Sequence, residues 1–309
     1  MSKTIRIGTR SSQLALWQAN KVKALLEGKG FATELVKVDG HGDQDLSKPL
    51  HQLGTVGLFT KNLDDAMLAG KIDIAVHSLK DVPTDLHPDI SQAAVLERGE
   101  HHDVIVLKAG DEFMKDRDSI ATVATGSLRR KAQWLARYKN HSIAPLRGNV
   151  NTRLSKLENN DWQGAIFAKA GLERIDLLPK NHKVLDWMIP SPAQGAIMIT
   201  ALKEDKDSLQ ACALLNHKTT EICVEVERAF MKTLEGGCTA PIGAKATIKD
   251  DLISFEGGIY SLDGSTNVLI EEEISIDKYN SFGQSLANNV LDNGGKELMA
   301  EILKAIENE

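Results

Sequence analysis

The chain has 309 residues, 42% hydrophobic and 26% charged, a length that predicts two or three domains able to bury a core without staples. Its net charge of −6 and pI near 5.9 argue against nucleic acid as the main partner, because phosphate binding needs a basic surface. No apolar run approaches the ~20 residues that span a bilayer, and the polar Met1–Arg10 is not a signal peptide, so the expected compartment is the cytoplasm and no membrane partner is expected.

Strand and helix patterns alternate through the first two thirds of the chain. Ile5–Gly8 is expected as a short buried strand and Ser12–Glu27 as a helix with Leu14, Val22, Leu25 and Leu26 on one face. Phe31–Val38 alternates like a strand, and the Gly/Asp-rich stretch Gly40–Lys48 is expected as a loop. Leu58–Leu68 is a helix closed by Gly70, and Ile72–His77, Val104–Leu107 and Thr122–Ala124 are strands. Leu128–Tyr138 is a helix, Ser142–Leu146 and Ala165–Ala168 are strands, and Thr152–Leu157 is a helix between them. This β-α-β rhythm implies mixed, mainly parallel sheets covered by helices, an α/β class.

After Leu209 the texture changes. Gln210–Leu234 is a long helical stretch with an interruption near His217. Ala244–Ile248, Leu252–Tyr260 and Asn267–Ile276 are strand-like, with Asp263-Gly264 turning between the last two. Ser281–Ile306 is helical with a break at Asn293-Gly294-Gly295. The segments I-G-T-R-S-S-Q-L-A-L-W-Q (residues 7–18) and A-T-G-S-L-R-R-K-A-Q-W-L (residues 124–135) share a strand, Thr-x-Ser turn and Trp-bearing helix, a pattern that fits two similar α/β domains.

Those turns open the chemistry. Thr9-Arg10-Ser11-Ser12 and Thr125-Gly126-Ser127 place hydroxyls where helices start, which serves either N-capping or anion binding. Arg10, Arg129, Arg130, Arg147 and Arg153 all fall at predicted strand ends or helix starts, where open α/β sheets bind ligands. Arginine at a helix N-terminus opposes the dipole and asks for an anionic partner, either a carboxylate of the protein or a carboxylate-rich ligand. His77-Ser78-Leu79-Lys80-Asp81 leaves a lysine and a carboxylate just past a strand, as a surface pair or as a group suited to stabilising a cation. Of the three cysteines, Cys212 and Cys223 lie in helical, part-apolar stretches and read as core thiols. Cys238, preceded by two glycines and followed by Pro241, sits on a loop as an incidental or a reactive thiol, and no C-x-x-C pair occurs. His101-His102-Asp103 has the wrong spacing for a helical ligand pair, and no metal is expected.

V-H-S-L-K-D-V-P-T, A-T-G-S-L-R-R, L-R-G-N-V-N-T-R-L and L-E-G-G-C, in this order over residues 4–305, resemble the porphobilinogen deaminase (hydroxymethylbilane synthase) family. The resemblance implies head-to-tail condensation of four porphobilinogen units, with loss of ammonia at each step, to give 1-hydroxymethylbilane for haem and other tetrapyrroles. It implies a covalent dipyrromethane cofactor in thioether linkage to Cys238, which primes the growing chain. It implies that Asp81 holds pyrrole N–H groups and stabilises the cation left when the amine departs. Arg10, Arg129, Arg130, Arg147 and Arg153 correspond to binders of acetate and propionate groups, and Ser12, Lys80, Thr125, Ser127, Arg174 and Gln194 to further binding positions. The implied fold is two type II periplasmic-binding-protein-like domains, 1–97 with 195–216 and 98–194, plus a small α+β domain at 217–309 that carries the cysteine, acting as a monomer. The chain departs from the family at Gln52 and Val56, where lysines are usual, at Gly126, where the family has serine, and at Ala193, where it has glycine. Two rival readings remain: a cytosolic module that clamps a carboxylate ligand without chemistry, and a degenerate deaminase with a regulatory role.

Overall fold

The computed structural model describes residues 3–38, 60–234 and 240–307. They form two compact units, the first holding the described residues up to Gly99 together with Gly195–Ile222, the second Glu100–Gln194 and the residues from Cys223 on.

The first unit is built on a five-stranded sheet of order β2-β1-β3-β10-β4, with β1 Ile5–Thr9, β2 Thr33–Lys37, β3 Ile74–Ser78, β4 Ile90–Val95 and β10 Ile197–Leu202. Strand β1 pairs parallel with β2 and β3, and β10 runs antiparallel to β3 and β4. Successive side chains of a strand face opposite ways. Ile5, Ile7, Ile74 and Val76 therefore pack against helix α1 (Gln13–Gly28) and Cys212 of α6 (Lys206–Ala213), while Ala75 meets Leu63 and Met67 of α2 (Lys61–Leu68) on the other face. Burial pushes the Cys212 thiol up to about 12, as an inert core thiol requires, and Cys223 is likewise buried.

The second unit repeats this design. Its sheet has the order β7-β6-β8-β5-β9, with β5 Asp103–Leu107, β6 Thr122–Ala124, β7 Ser142–Ala144, β8 Gly164–Ala168 and β9 His182–Leu185. Strand β6 is parallel to β7 and β8, and β5, entered straight from the crossover out of the first unit, is antiparallel to β8 and β9. In both sheets the strand that follows a crossover is thus the antiparallel one beside three parallel strands, the type II periplasmic-binding-protein arrangement. Helix α3 (Leu128–Arg137) covers one face with Trp134, and α4 (Val150–Asn159) with α5 (Lys169–Glu173) covers the other. The same unit holds a three-stranded antiparallel sheet, β11 Ile242–Lys249, β12 Leu252–Tyr260 and β13 Asn267–Ser275. With it go α7 (Lys218–Thr233), α8 (Phe282–Val290) and α9 (Lys296–Glu307). The expected break in the last helix is present, with Gly294 at φ +96 between α8 and α9.

The differences from expectation have local causes. The stretch Gln210–Leu234 is two helices, α6 and α7, parted at Leu214–His217, where His217 N donates to Val95 O of β4. Strands β4, β9 and β10 were not anticipated: β10, I-M-I-T-A-L, is buried on both faces and so carries no period-two signal. Helix α2 begins at Lys61, Leu58 and the expected loop Gly40–Lys48 lying outside the described residues. No helix among the described residues is long and apolar enough to cross a membrane.

His77 lies buried on β3, its Nε2 3.3 Å from Thr200 Oγ1 of β10. Burial, with the Arg10 charge adding, lowers its pKa from 6.5 to about 4. The folded protein thus binds this proton only below the pH at which the unfolded chain already has, and the contribution to stability is lost as pH falls. Between pH 7 and pH 5 the loss is about 2 kcal/mol, calculated from the shift at ~1.36 kcal/mol per unit. Asp64, raised to about 6 chiefly by burial, titrates in the opposite sense, so the comparison is made against His77→Gln, which keeps Asp64. Urea unfolding at the two pH values is expected to show the variant losing less stability than the wild type by that amount, and equal losses would disprove it.

Candidate active site

In the first unit the candidate residues gather at the carboxyl ends of the adjacent parallel strands β1 and β3. Thr9-Arg10-Ser11 leaves β1, and Ser12 caps α1, its Oγ accepting the Ala15 amide at 3.3 Å. Strand β3 runs into a 3-10 turn, Leu79–Asp81, that carries Lys80 and the exposed Asp81. The turn is held from two sides: buried Gln18 of α1 donates through Nε2 to Ser78 Oγ at 2.8 Å, and Leu79 N donates to Ala196 O at 3.1 Å.

In the second unit the candidates gather at the carboxyl ends of three neighbouring parallel strands, β6, β7 and β8. The Thr125-Gly126-Ser127 hydroxyls work as caps: Thr125 Oγ1 accepts the Ser127 amide at 3.2 Å and Ser127 Oγ the Arg130 amide at 3.4 Å. Gly126 has a steric reason, since a Cβ there would sit 2.4 Å from Leu146 O, and its absence lets the residue before Arg147 approach the turn. Strand β7 ends at Ala144, so Arg147 sits on the following loop and not at the strand end expected. That loop is shaped by Gly148 at φ +110, by Arg153 Nε donating to Gly148 O at 2.7 Å, and by Asn149, which caps α4 through the Thr152 amide at 2.9 Å. Arg147 Nη1 is buried with no hydrogen-bond acceptor among the described residues. Arg174 follows α5 after β8, and burial, eased slightly by Glu173, lowers its pKa to about 10, so it stays charged at neutral pH.

Arg129 and Arg130 differ from the rest. Both are buried and both grip Asp103, which has no solvent exposure: Arg129 Nη2 lies 2.7 Å from Oδ2, and Arg130 Nη2 and Nε lie 2.7 and 3.1 Å from Oδ1. Arg129 Nη1 also donates to Ile189 O and Arg130 Nη1 to Ile166 O. Gln194 joins the cluster, its Nε2 donating to Asp103 Oδ1 at 2.9 Å and to His101 O at 2.8 Å. Burial alone would raise the Asp103 carboxyl, but the two guanidiniums outweigh it and hold it well below the usual range. Two cations around one anion leave one net positive charge, and the anion that these arginines ask for is in part the protein's own.

In the sequence Asp103 stands out only as the third residue of His101-His102-Asp103. Its signal was a carboxylate heading the buried apolar strand D-V-I-V-L. The His pair itself, with Glu100, brings ligand-capable atoms within 4.8 Å of one another. Glu100, however, is engaged by His102 Nδ1 at 2.6 Å and by the Lys169 ammonium at 2.9 Å, a cation already in place. Ala193 holds φ +60, in the left-handed region that glycine enters most readily. Gln52, Val56 and Cys238 lie outside the described residues.

The sequence comparisons agree along the chain. Residues 5–210 match the profile "Porphobilinogen deaminase, dipyromethane cofactor binding domain", and residues 221–292 match "Porphobilinogen deaminase, C-terminal domain". The chain belongs to the porphobilinogen deaminase family. Relatives include the porphobilinogen deaminase of Geotalea uraniireducens, 40% identical over 304 residues that cover 97% of this chain and 95% of that one. The porphobilinogen deaminase of Cytophaga hutchinsonii is 38% identical, with 99% of each chain covered. A probable porphobilinogen deaminase of Methanococcoides burtonii is 36% identical, with 96% of each covered. Among solved structures, the methionine binding protein MetQ matches 69% of this chain and 89% of its own at 14% identity and TM-score 0.45. Family membership makes this chain an enzyme of tetrapyrrole biosynthesis, with residues 5–210 as its cofactor-binding domain.

Proposed function

We propose that the chain condenses four porphobilinogen units head to tail on a dipyrromethane primer held by Cys238, as a cytoplasmic monomer with the cysteine in a third domain at 217–309. When bound, the primer supplies the nucleophilic pyrrole carbon on which the product grows. The observation that carries this reading is the row of guanidiniums at the carboxyl ends of β6, β7 and β8, where Arg147 keeps a buried N–H without an acceptor among the described residues. A buried donor left unpaired costs about 1–3 kcal/mol, so its presence points to a carboxylate brought by a ligand. Each pyrrole unit carries an acetate and a propionate, which suits a bidentate guanidinium.

The residues divide the work by their chemistry. Arg147, Arg153 and Arg174 bind carboxylates in the second unit, with Arg129 and Arg130 adding the net charge that Asp103 leaves. In the first unit Arg10 and Lys80 bind carboxylates, and the Ser12 cap fixes the turn that carries Arg10. Thr125 and Ser127 set the start of α3, and Gln194 fixes Asp103. Asp81 accepts pyrrole N–H bonds and stabilises the cation formed as ammonia leaves.

Intact mass of the wild type against Cys238→Ser tests the reading. The wild type is expected to be heavier by two pyrrole units. Equal masses, corrected for the substitution, reject it and favour a carboxylate-clamping module; an adduct without turnover of porphobilinogen favours a degenerate deaminase.

A further inference from the structure

The fully buried Glu227 of α7 has no part in the binding set above. Its Oε2 accepts the Ala193 amide at 2.6 Å and its Oε1 the Ala246 amide at 2.7 Å. Ala246 lies on β11, the edge strand of the small sheet. The outward N–H groups of that edge are thus taken up at Ala246 by Glu227 and at Ala244 by Pro190 O, 3.0 Å away. On the other side the same carboxylate holds Ala193 in its left-handed conformation. The next residue is Gln194, which reaches Asp103. Upstream, Ile189 is gripped at both backbone atoms by Gln133, at 2.8 and 2.9 Å, and by Arg129. The stretch from Ile189 to Gln194 is therefore a strap between the arginine cluster and the small sheet, with Glu227 as its clasp.

We infer that Glu227 is a positioning residue for the deaminase reaction: through Ala193 and Gln194 it fixes the Asp103–Arg129–Arg130 cluster relative to α7 and β11, the two elements between which Cys238 falls in the chain. The inference rests on the reading that Cys238 carries the primer. A carboxylate is needed because two amides are gripped at once by two acceptor oxygens. A carboxamide keeps the volume but turns a donor towards one of them.

The test is Glu227→Gln beside the wild type and Cys238→Ser, followed by intact mass, steady-state kinetics and far-UV circular dichroism. Folded E227Q is expected to carry less adduct than the wild type, and its loaded fraction to lose about tenfold to hundredfold in kcat, the effect of a misplacement of about 1 Å, with KM within about twofold. If the wild type bears no adduct, the primer reading fails. If the wild type bears it and folded E227Q matches it in loading and kcat, the positioning role is overturned. Should E227Q not fold, hydrogen exchange decides: the Ala193 and Ala246 amides are expected to be protected about tenfold more in the loaded wild type than in C238S, and equal protection overturns the inference.

Discussion

Replacing Asp103 with asparagine is expected to lower stability by about 3–5 kcal/mol, because it strands two buried guanidiniums beside each other without their anion. The side chains of Arg129 and Arg130 are only 5% and 7% exposed, so water cannot take over the role. Asparagine can still accept through its oxygen, but its amide nitrogen faces a guanidinium and is repelled. The melting temperature is expected to fall by on the order of 10 °C, at a few degrees per kcal/mol for a chain of this size. The same variant is expected to emerge with little adduct, since the arginines would shift towards solvent and the start of α3 with them. A melting temperature within about 2 °C of the wild type would remove Asp103 as the keystone of the cluster.

That keystone marks the limit of what the residues disclose in linear order. The β-α-β rhythm, the broken last helix and the caps at Ser12 and Ser127 are set by neighbours within a turn or two, and each was legible. The rule that arginines at a helix N-terminus need an anion holds for Arg129 and Arg130, which have one in Asp103. What it could not supply was the anion's identity, because Asp103 precedes Arg129 by a whole strand and loop and meets it only when β5 is laid beside β8. Glu227 is similar: it falls on the helix face shared with Cys223, Phe230 and Met231, all buried, and a charge among apolar positions at i−4, i+3 and i+4 was visible as an anomaly. Its partners, two backbone amides distant in the chain, were not. Strand β10 was missed for a different reason: it returns from the second unit to complete the first sheet, a crossover that no local pattern announces.

Asp81 stands at the opposite extreme, and Asp81→Asn is expected to separate catalysis from architecture. The residue is exposed at the end of the Leu79–Asp81 turn. The hydrogen bonds that set this turn, from Gln18 to Ser78 and from Leu79 to Ala196, do not involve its side chain. Substitution there should leave stability within about 0.5 kcal/mol. The asparagine still accepts an N–H bond but cannot offset a positive charge. If the carboxylate stabilises the cation produced as ammonia departs, kcat falls by about 10²–10³-fold, the magnitude found when one electrostatic stabiliser is removed. The primer adduct should persist in the mass spectrum, and ammonia release should almost stop. The two carboxylates thus predict opposite signatures: D103N loses melting temperature and loading, whereas D81N keeps both and loses turnover. Ammonia release by D81N at a rate within about threefold of the wild type would exclude a charge-stabilising role, and the reaction would then have to draw its stabilisation from elsewhere in the site.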